Sequence, residues 1–253
     1  MPLALPRRQR HKSGVAREPT VYRHRLPTRL WHWVTAVSVI VLLGSGLMIL
    51  NAHGQLYWGE YGANYDQPWF RVAWLFESGR VPGWLTIPST YNLALARRWH
   101  LFFALVLAFA LLVFMVVSLL NRHFQRDLRI RARELRPEHL AADARAHAEL
   151  RFHDPENPRA YNSFQKLAYA GVIFILLPLV ILTGLAMSPG MNAAWPWLTE
   201  VFGGRQSARS IHFIVAMLLA GFIIVHLALV ILAGPVDEGR SMVTRNWRVP
   251  EWA

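Results

Sequence analysis

The sequence contains no cysteine. That excludes disulfides, thiolate-held iron–sulfur clusters, cysteine-based zinc sites and covalently attached c-type haem, which needs a CxxCH motif. Any metal centre must be held through histidine, methionine or carboxylate. Acidic residues are also scarce, 15 against 27 Lys and Arg in 253 residues, and none falls inside the four long apolar runs. A carboxylate-based transition-metal site, a proton relay or an ion pathway through those runs is therefore poorly supported. No internal repeat or low-complexity tract is present. Apolar residues are abundant. The chain is 54% hydrophobic with 11 Trp, a profile of a small polytopic membrane protein rather than of one or two soluble domains.

Four runs are long enough to cross a bilayer, which takes roughly 20 apolar residues. They are Leu30–Leu50, Trp99–Leu120, Leu167–Met187 and Ile211–Ala233. The expected fold is all-α, an integral membrane four-helix bundle. Pro27 suits the first turn of the first helix, Ser89–Thr90 suits a helical lead-in to the second, and Pro178 predicts a kink in the third. The first run is longer than the apolar core of a signal peptide and lacks a small-residue cleavage site. Residues 1–29 read as a basic, loosely ordered tail. In domain terms, 1–21 is a tail, 22–247 the membrane domain and 248–253 a second tail.

The net charge of +12 would suggest nucleic acid in a soluble protein, but its sidedness explains it better. Of the 27 Lys and Arg, 21 lie before the first run, between the second and third, or after the fourth. The positive-inside rule then places both termini and the loop 121–166 in the cytoplasm and the loop 51–98 in the periplasm. The charged cytoplasmic loop reads as a solvated or headgroup-facing surface. The periplasmic loop carries Trp58, Trp69, Trp74 and Trp84, which suit either a functional surface or interfacial anchoring.

The fourth run contains only two ionisable side chains, His212 and His226. Fourteen helical residues make about 1400° of turn, roughly 40° short of four turns, so both imidazoles leave one face about 21 Å apart. His32 begins the first run and His100 begins the second. Compared by depth, His32 pairs with His226 on the inner side and His100 with His212 on the outer side. Two imidazoles facing each other across a bundle suit the axial positions of a haem iron, and filling both leaves an iron that carries electrons. Alone, any one of these histidines could simply hydrogen-bond a neighbouring helix. His53 and His123 suit interfacial and helix-end positions instead.

The neighbouring residues agree. Gly44, Gly46, Gly184 and Gly221 suit close approach of a flat macrocycle, or equally close helix packing. Arg97, Arg98, Arg205 and Arg209 lie near His100 or His212 on the side where basic residues are disfavoured, placed to pair with haem propionates. Arg25 and Arg29 are similarly placed near the inner pair, where the general basic excess already accounts for them.

The stretches RHRLPTRLWHW, SGL, LARRWH, YNSFQK, TGL, FGGRQSARSIHF and the later VH together resemble the bacterial di-haem cytochrome b561, or nickel-hydrogenase-type cytochrome b, family. The likeness covers about residues 22 to 247 and is nearest to the thiosulfate reductase cytochrome b subunit, with formate dehydrogenase-N as a relation. It implies two non-covalent, bis-His b haems, with the first and fourth helices serving the cytoplasmic one and the second and fourth the periplasmic one. It also implies membrane quinone as a mobile substrate near the start of the third helix. There Tyr161, Asn162, Gln165 and Lys166 are found, the last three on one helical face. A helix cap made by Asn162 is the alternative. The implied partner is a periplasmic molybdenum- or nickel–iron-type oxidoreductase subunit, in the bacterial inner membrane. Two other readings stay open: a free-standing haem oxidoreductase acting on superoxide or ferric iron, and a haem-free metal transporter or anchor.

Overall fold

A computed structural model describes residues 20–22, 25–63, 65–122, 124–125, 129–149, 162–244 and 246–248. Four helices are long and apolar enough to cross a membrane: α1 (Leu26–Leu50), α2 (Leu93–Leu120), α3 (Ser163–Met187) and α4 (Arg205–Ala233). Each begins several residues before its apolar run. The polar first turn of a spanning helix lies beyond the hydrocarbon, so hydropathy alone does not see it. The chain is a multi-pass membrane protein with a four-helix architecture.

The local reasons for these boundaries are specific. Pro27 sits in the first turn of α1, where a missing N–H goes unused. The expected lead-in at Ser89–Thr90 is not helical. Asn92 starts α2 instead, its side chain accepting from the Leu95 N–H at 3.0 Å. In α3 the segment Val172–Leu176 is π-helical, directly before Pro178. Proline lacks the N–H and crowds the carbonyl four residues earlier. That carbonyl belongs to Phe174, so the π segment is where the ladder yields.

Helices α1 and α2 pack closely as one pair and α3 and α4 as another. Val39, Leu107, Leu111, Phe114, Ile173, Leu177, Val215 and Leu219 form the common core. In lipid this core is held by close packing rather than by water exclusion. The outer faces stay apolar: Leu101, Leu105, Phe109, Leu112 and Val116 make an exposed stripe along α2, as a lipid-facing surface requires.

On the side away from the termini, residues 51–92 form a small cap. Strands β2 (Gln55–Leu56) and β3 (Phe70–Arg71) pair antiparallel over Leu50, Val72 and Val81. Burying such a side chain from water contributes about 1.5–3 kcal/mol. Of the four tryptophans in this loop, Trp69 is structural, donating to Ser210 Oγ at 2.8 Å, while Trp58, Trp74 and Trp84 are exposed.

The cap also closes the start of α4. Gly203 and Gly204 have φ of 73° and 104°, and a Cβ on Gly204 would lie 2.6 Å from the Gly59 carbonyl. Only glycine allows both that backbone and that approach. The Gly59 carbonyl accepts the Gln206 and Ser207 N–H groups, and Glu60 accepts that of Arg205, which satisfies the orphan donors of the helix.

On the terminal side, two expectations change. Part of the tail expected to be loose is a strand, β1 (Thr20–Tyr22), paired antiparallel with β4 (Asn246–Arg248). This pairing brings the two ends of the membrane domain together on one side. The loop between α2 and α3, expected as a solvated surface, contributes bonds to α3: Asp143 accepts the Ser163 N–H at 3.0 Å and Glu134 pairs with Lys166 at 3.0 Å.

Candidate functional site

The two expected histidine pairs form. The His100 and His212 rings have centroids 6.2 Å apart at 58°, and the His32 and His226 rings 6.3 Å apart at 60°. Two imidazoles that share one metal from opposite faces, with bonds of about 2 Å, have centroids roughly 6 Å apart. Both pairs therefore have the span of a bis-imidazole iron. Among the described residues there is no cluster of three or more metal-ligating side chains. A metal bound here receives two protein ligands, which suits a macrocycle that supplies the rest. The donor set fits a haem.

The outer pair is gripped from the neighbouring helices. Ser45 Oγ of α1 lies 3.0 Å from His100 Nδ1 of α2, and Thr183 Oγ1 of α3 lies 3.0 Å from His212 Nδ1 of α4. The next residue in each case is glycine. A Cβ on Gly46 would stand 3.4 Å from His100 Cε1, and one on Gly184 would stand 3.4 Å from His212 Cε1. Gly46 and Gly184 thus serve close approach of a ring, but the ring is the imidazole. Gly44 faces Ile87 instead, and Gly221 borders open space. Sequence reasoning gave the glycines a role and quoted Ser45 and Thr183 only within the stretches SGL and TGL, without one. The available signal was the hydroxyl–Gly–Leu triplet occurring once in α1 and once in α3.

The inner pair differs at His32. His32 Nδ1 is buried without a hydrogen-bond partner among the described residues, as are Trp31 Nε1 and Thr35 Oγ1 on the same helix. Trp31 stacks on Phe114 at 4.0 Å and His226 on Phe222 at 5.7 Å. Buried polar atoms are almost always paired, so three unpaired ones within five residues of α1 call for partners beyond the described residues.

The arginines separate into two groups. Arg97 and Arg98 are exposed at the start of α2, and neither side chain makes a hydrogen bond among the described residues. Arg205 donates to the Met187 carbonyl, Arg209 to the His53 and Gln55 carbonyls and Arg29 to the Met242 carbonyl. Arg205 ties α4 to the end of α3, Arg209 ties α4 to the stretch after α1, and Arg29 ties α1 to the segment after α4. Arg25 precedes α1 and is exposed.

The residues expected near quinone hold the start of α3. Asn162 and Gln165 form a reciprocal capping box, with Asn162 Oδ1 accepting from the Gln165 N–H at 2.8 Å. Lys166 donates to both oxygens of Glu134 at 3.0 Å. Tyr161 and His123 lie outside the described residues.

The family model for prokaryotic cytochrome b561 matches residues 23–245. A putative protein-methionine-sulfoxide reductase subunit YedZ1 of Azospira oryzae is 27% identical over 212 residues, covering 81% of this chain and 87% of the relative. A probable Ni/Fe-hydrogenase B-type cytochrome subunit of Azotobacter vinelandii is 25% identical over 253 residues, covering 94% of this chain and 92% of the relative. No solved structure matches the chain. The facing imidazole pairs and a family match spanning all four helices lead to one assignment: the chain belongs to the prokaryotic cytochrome b561 family, as a b-haem-binding membrane protein of electron transfer.

Proposed function

We propose that this chain holds two b haems, one between His32 and His226 and one between His100 and His212, and conducts electrons between membrane quinone on the cytoplasmic side and an oxidoreductase subunit on the periplasmic side of a bacterial cytoplasmic membrane. The observation that carries this is the repetition of one geometry, 6.3 Å and 6.2 Å, near the two ends of α4. A b haem held by both imidazoles of a pair would supply one-electron transfer. The chain's part is to hold each imidazole pair at a fixed separation, keep water from the bundle interior and separate the two sites by about 21 Å along one helix.

The two relatives carry names of subunits of oxidoreductases, one of a methionine-sulfoxide reductase and one of a nickel–iron hydrogenase. They support an oxidoreductase partner subunit, and the second name a nickel–iron one; a molybdenum type rests on the sequence resemblance alone. Arg97 and Arg98, exposed beside His100, are the arginines best placed to pair with outer haem propionates. The exposed Trp58, Trp74 and Trp84 share that side. For quinone, the capping box uses the side-chain oxygens of Asn162 and Gln165. The Gln165 amide N–H group remains a donor toward a quinone carbonyl at the membrane edge.

The test is purification of the chain with whatever accompanies it, followed by haem quantitation and reduction with quinol. Two haems per chain, a copurifying redox subunit and quinol-driven reduction are expected. A single haem, or reduction only by dithionite, would reject the reading.

A further inference from the structure

The hydroxyls of Ser45 and Thr183 are wholly buried, and each is committed twice. Ser45 Oγ lies 2.6 Å from the Val41 carbonyl and 3.0 Å from His100 Nδ1. Thr183 Oγ1 lies 2.7 Å from the Leu179 carbonyl and 3.0 Å from His212 Nδ1. A hydroxyl has one proton, and a carbonyl can only accept. The proton of each hydroxyl must therefore point at the carbonyl four residues back in its own helix. The contact to the ring then has the imidazole Nδ1–H donating to the hydroxyl oxygen. This fixes the tautomer: in both outer histidines Nδ1 carries the proton and Nε2 carries the lone pair. The same hydroxyl also reaches the carbonyl three residues back, at 3.3 Å for Leu42 and 3.1 Å for Val180, so the two helices use one device at equivalent positions.

We propose that Ser45 and Thr183 are positioning residues for the outer haem, each fixing its histidine as the Nδ1–H tautomer with Nε2 presented to the iron. At the inner site His32 differs, since its Nδ1 has no partner among the described residues. Metal-bound histidines commonly donate the second ring N–H to an oxygen, which holds the ring and raises its basicity. Here that oxygen comes from a neighbouring helix in both cases. The adjacent Gly46 and Gly184 admit the ring to hydrogen-bonding distance, at 3.4 Å from where a Cβ would stand. The Ser–Gly of α1 and the Thr–Gly of α3 are thus one functional unit used twice. A more basic imidazole favours ferric iron, so these bonds lower the potential of the outer haem alone.

This inference rests on the assignment of His100 and His212 as outer ligands, and the experiment separates the two. In the full chain with its haems, His100→Ala tests the ligands, while Ser45→Ala and Thr183→Val test the positioning. Haem content, potentiometric titration and low-temperature electron paramagnetic resonance are read for each. Loss of one haem in His100→Ala identifies the outer spectral component. That component should shift to higher potential and change its low-spin g values in Ser45→Ala and Thr183→Val, with haem retained about tenfold to a hundredfold less tightly. Ser45→Thr and Thr183→Ser keep the hydroxyl and should restore parent values, which also controls for folding. Both haems retained in His100→Ala would overturn the ligand assignment. One haem lost there, with unchanged or equally shifted components in the hydroxyl variants or no rescue by the conservative pair, would overturn the positioning role alone.

Discussion

Lys166 Nζ stands 3.0 Å from each carboxylate oxygen of Glu134, joining the start of α3 to the loop that follows α2. Lys166 was expected on sequence grounds as a quinone contact, and here its ammonium group is bonded to Glu134. For Glu134, burial raises the carboxyl pKa, but the Lys166 hydrogen bond and charge and the Arg131 backbone outweigh it, and the net shift is downward. A carboxylate with a lowered folded pKa contributes stability above its ordinary pKa, and that contribution is lost as pH falls through the folded value. The loop should therefore resist proteolysis at neutral pH and open below the usual carboxylate range. Glu134→Gln should give the open behaviour at pH 7 without changing the haem spectra. Equal protection in parent and variant at pH 7 would show that the pair does not hold the loop.

Both haems should be non-covalent and low-spin. Acid–acetone extraction should remove all haem, because no cysteine is available to form a thioether. Haem left on the protein, or a ratio near one per chain, would contradict the two-site arrangement.

The pairing predicts which variants behave alike. His32→Ala and His226→Ala should lose one spectral component, and His100→Ala and His212→Ala the other. If His32→Ala and His212→Ala removed the same component, the pairing at two levels would be wrong.

The capping box allows a quinone test that spares the helix. Gln165→Glu keeps an oxygen for the Asn162 N–H but removes the amide donor, whereas Asn162→Ala removes the cap and destabilises α3 by about 1 kcal/mol. Loss of one buried polar contact is worth about 1–3 kcal/mol, or roughly fivefold to more than a hundredfold in affinity. Gln165→Glu should slow haem reduction by quinol while dithionite reduction and both spectra stay intact. Unchanged quinol kinetics there, with loss in Arg97→Ala instead, would move the quinone site to the periplasmic side.

Gly204→Ala should weaken the cap over α4. The new Cβ would meet the Gly59 carbonyl at 2.6 Å with φ at 104°, so the cost exceeds the roughly 1–2 kcal/mol typical of a left-handed non-glycine residue. A lower temperature of outer haem loss is expected, and an unchanged one would show that the cap carries no stability.

Which parts of this were legible in the sequence follows from what periodicity can express. The 14-residue spacing of His212 and His226 fixes both depths on one face, and hydropathy finds all four spans, so the bundle and its histidine pairs could be read directly. The triplets of Ser45 and Thr183 were visible but their role was not, because a hydroxyl in an apolar helix bonds its own backbone equally well and only the neighbouring helix shows the second partner. Arg205 and Arg209 show a related limit. Charge near a ligand is visible in sequence, but the carbonyls of Met187, His53 and Gln55 that receive it are brought there by folding. The strand β1 is too short for any pattern, and β4, its partner, lies more than 200 residues away.

The paired strands β1 and β4, with Arg29 and Trp33 both donating to the Met242 carbonyl, lash the entrance of α1 to the exit of α4. At the opposite end, α4 is held by the Gly59 turn and by Arg209, which grips the stretch just beyond α1. The two helices that carry His32 and His226 are thus braced like the rails of a ladder whose rungs are at its ends. The width between the rails is set by these braces, so a haem held by His32 and His226, as proposed, would meet helices already spaced for it. Much of the ordering entropy of that site would then be met during folding rather than at insertion.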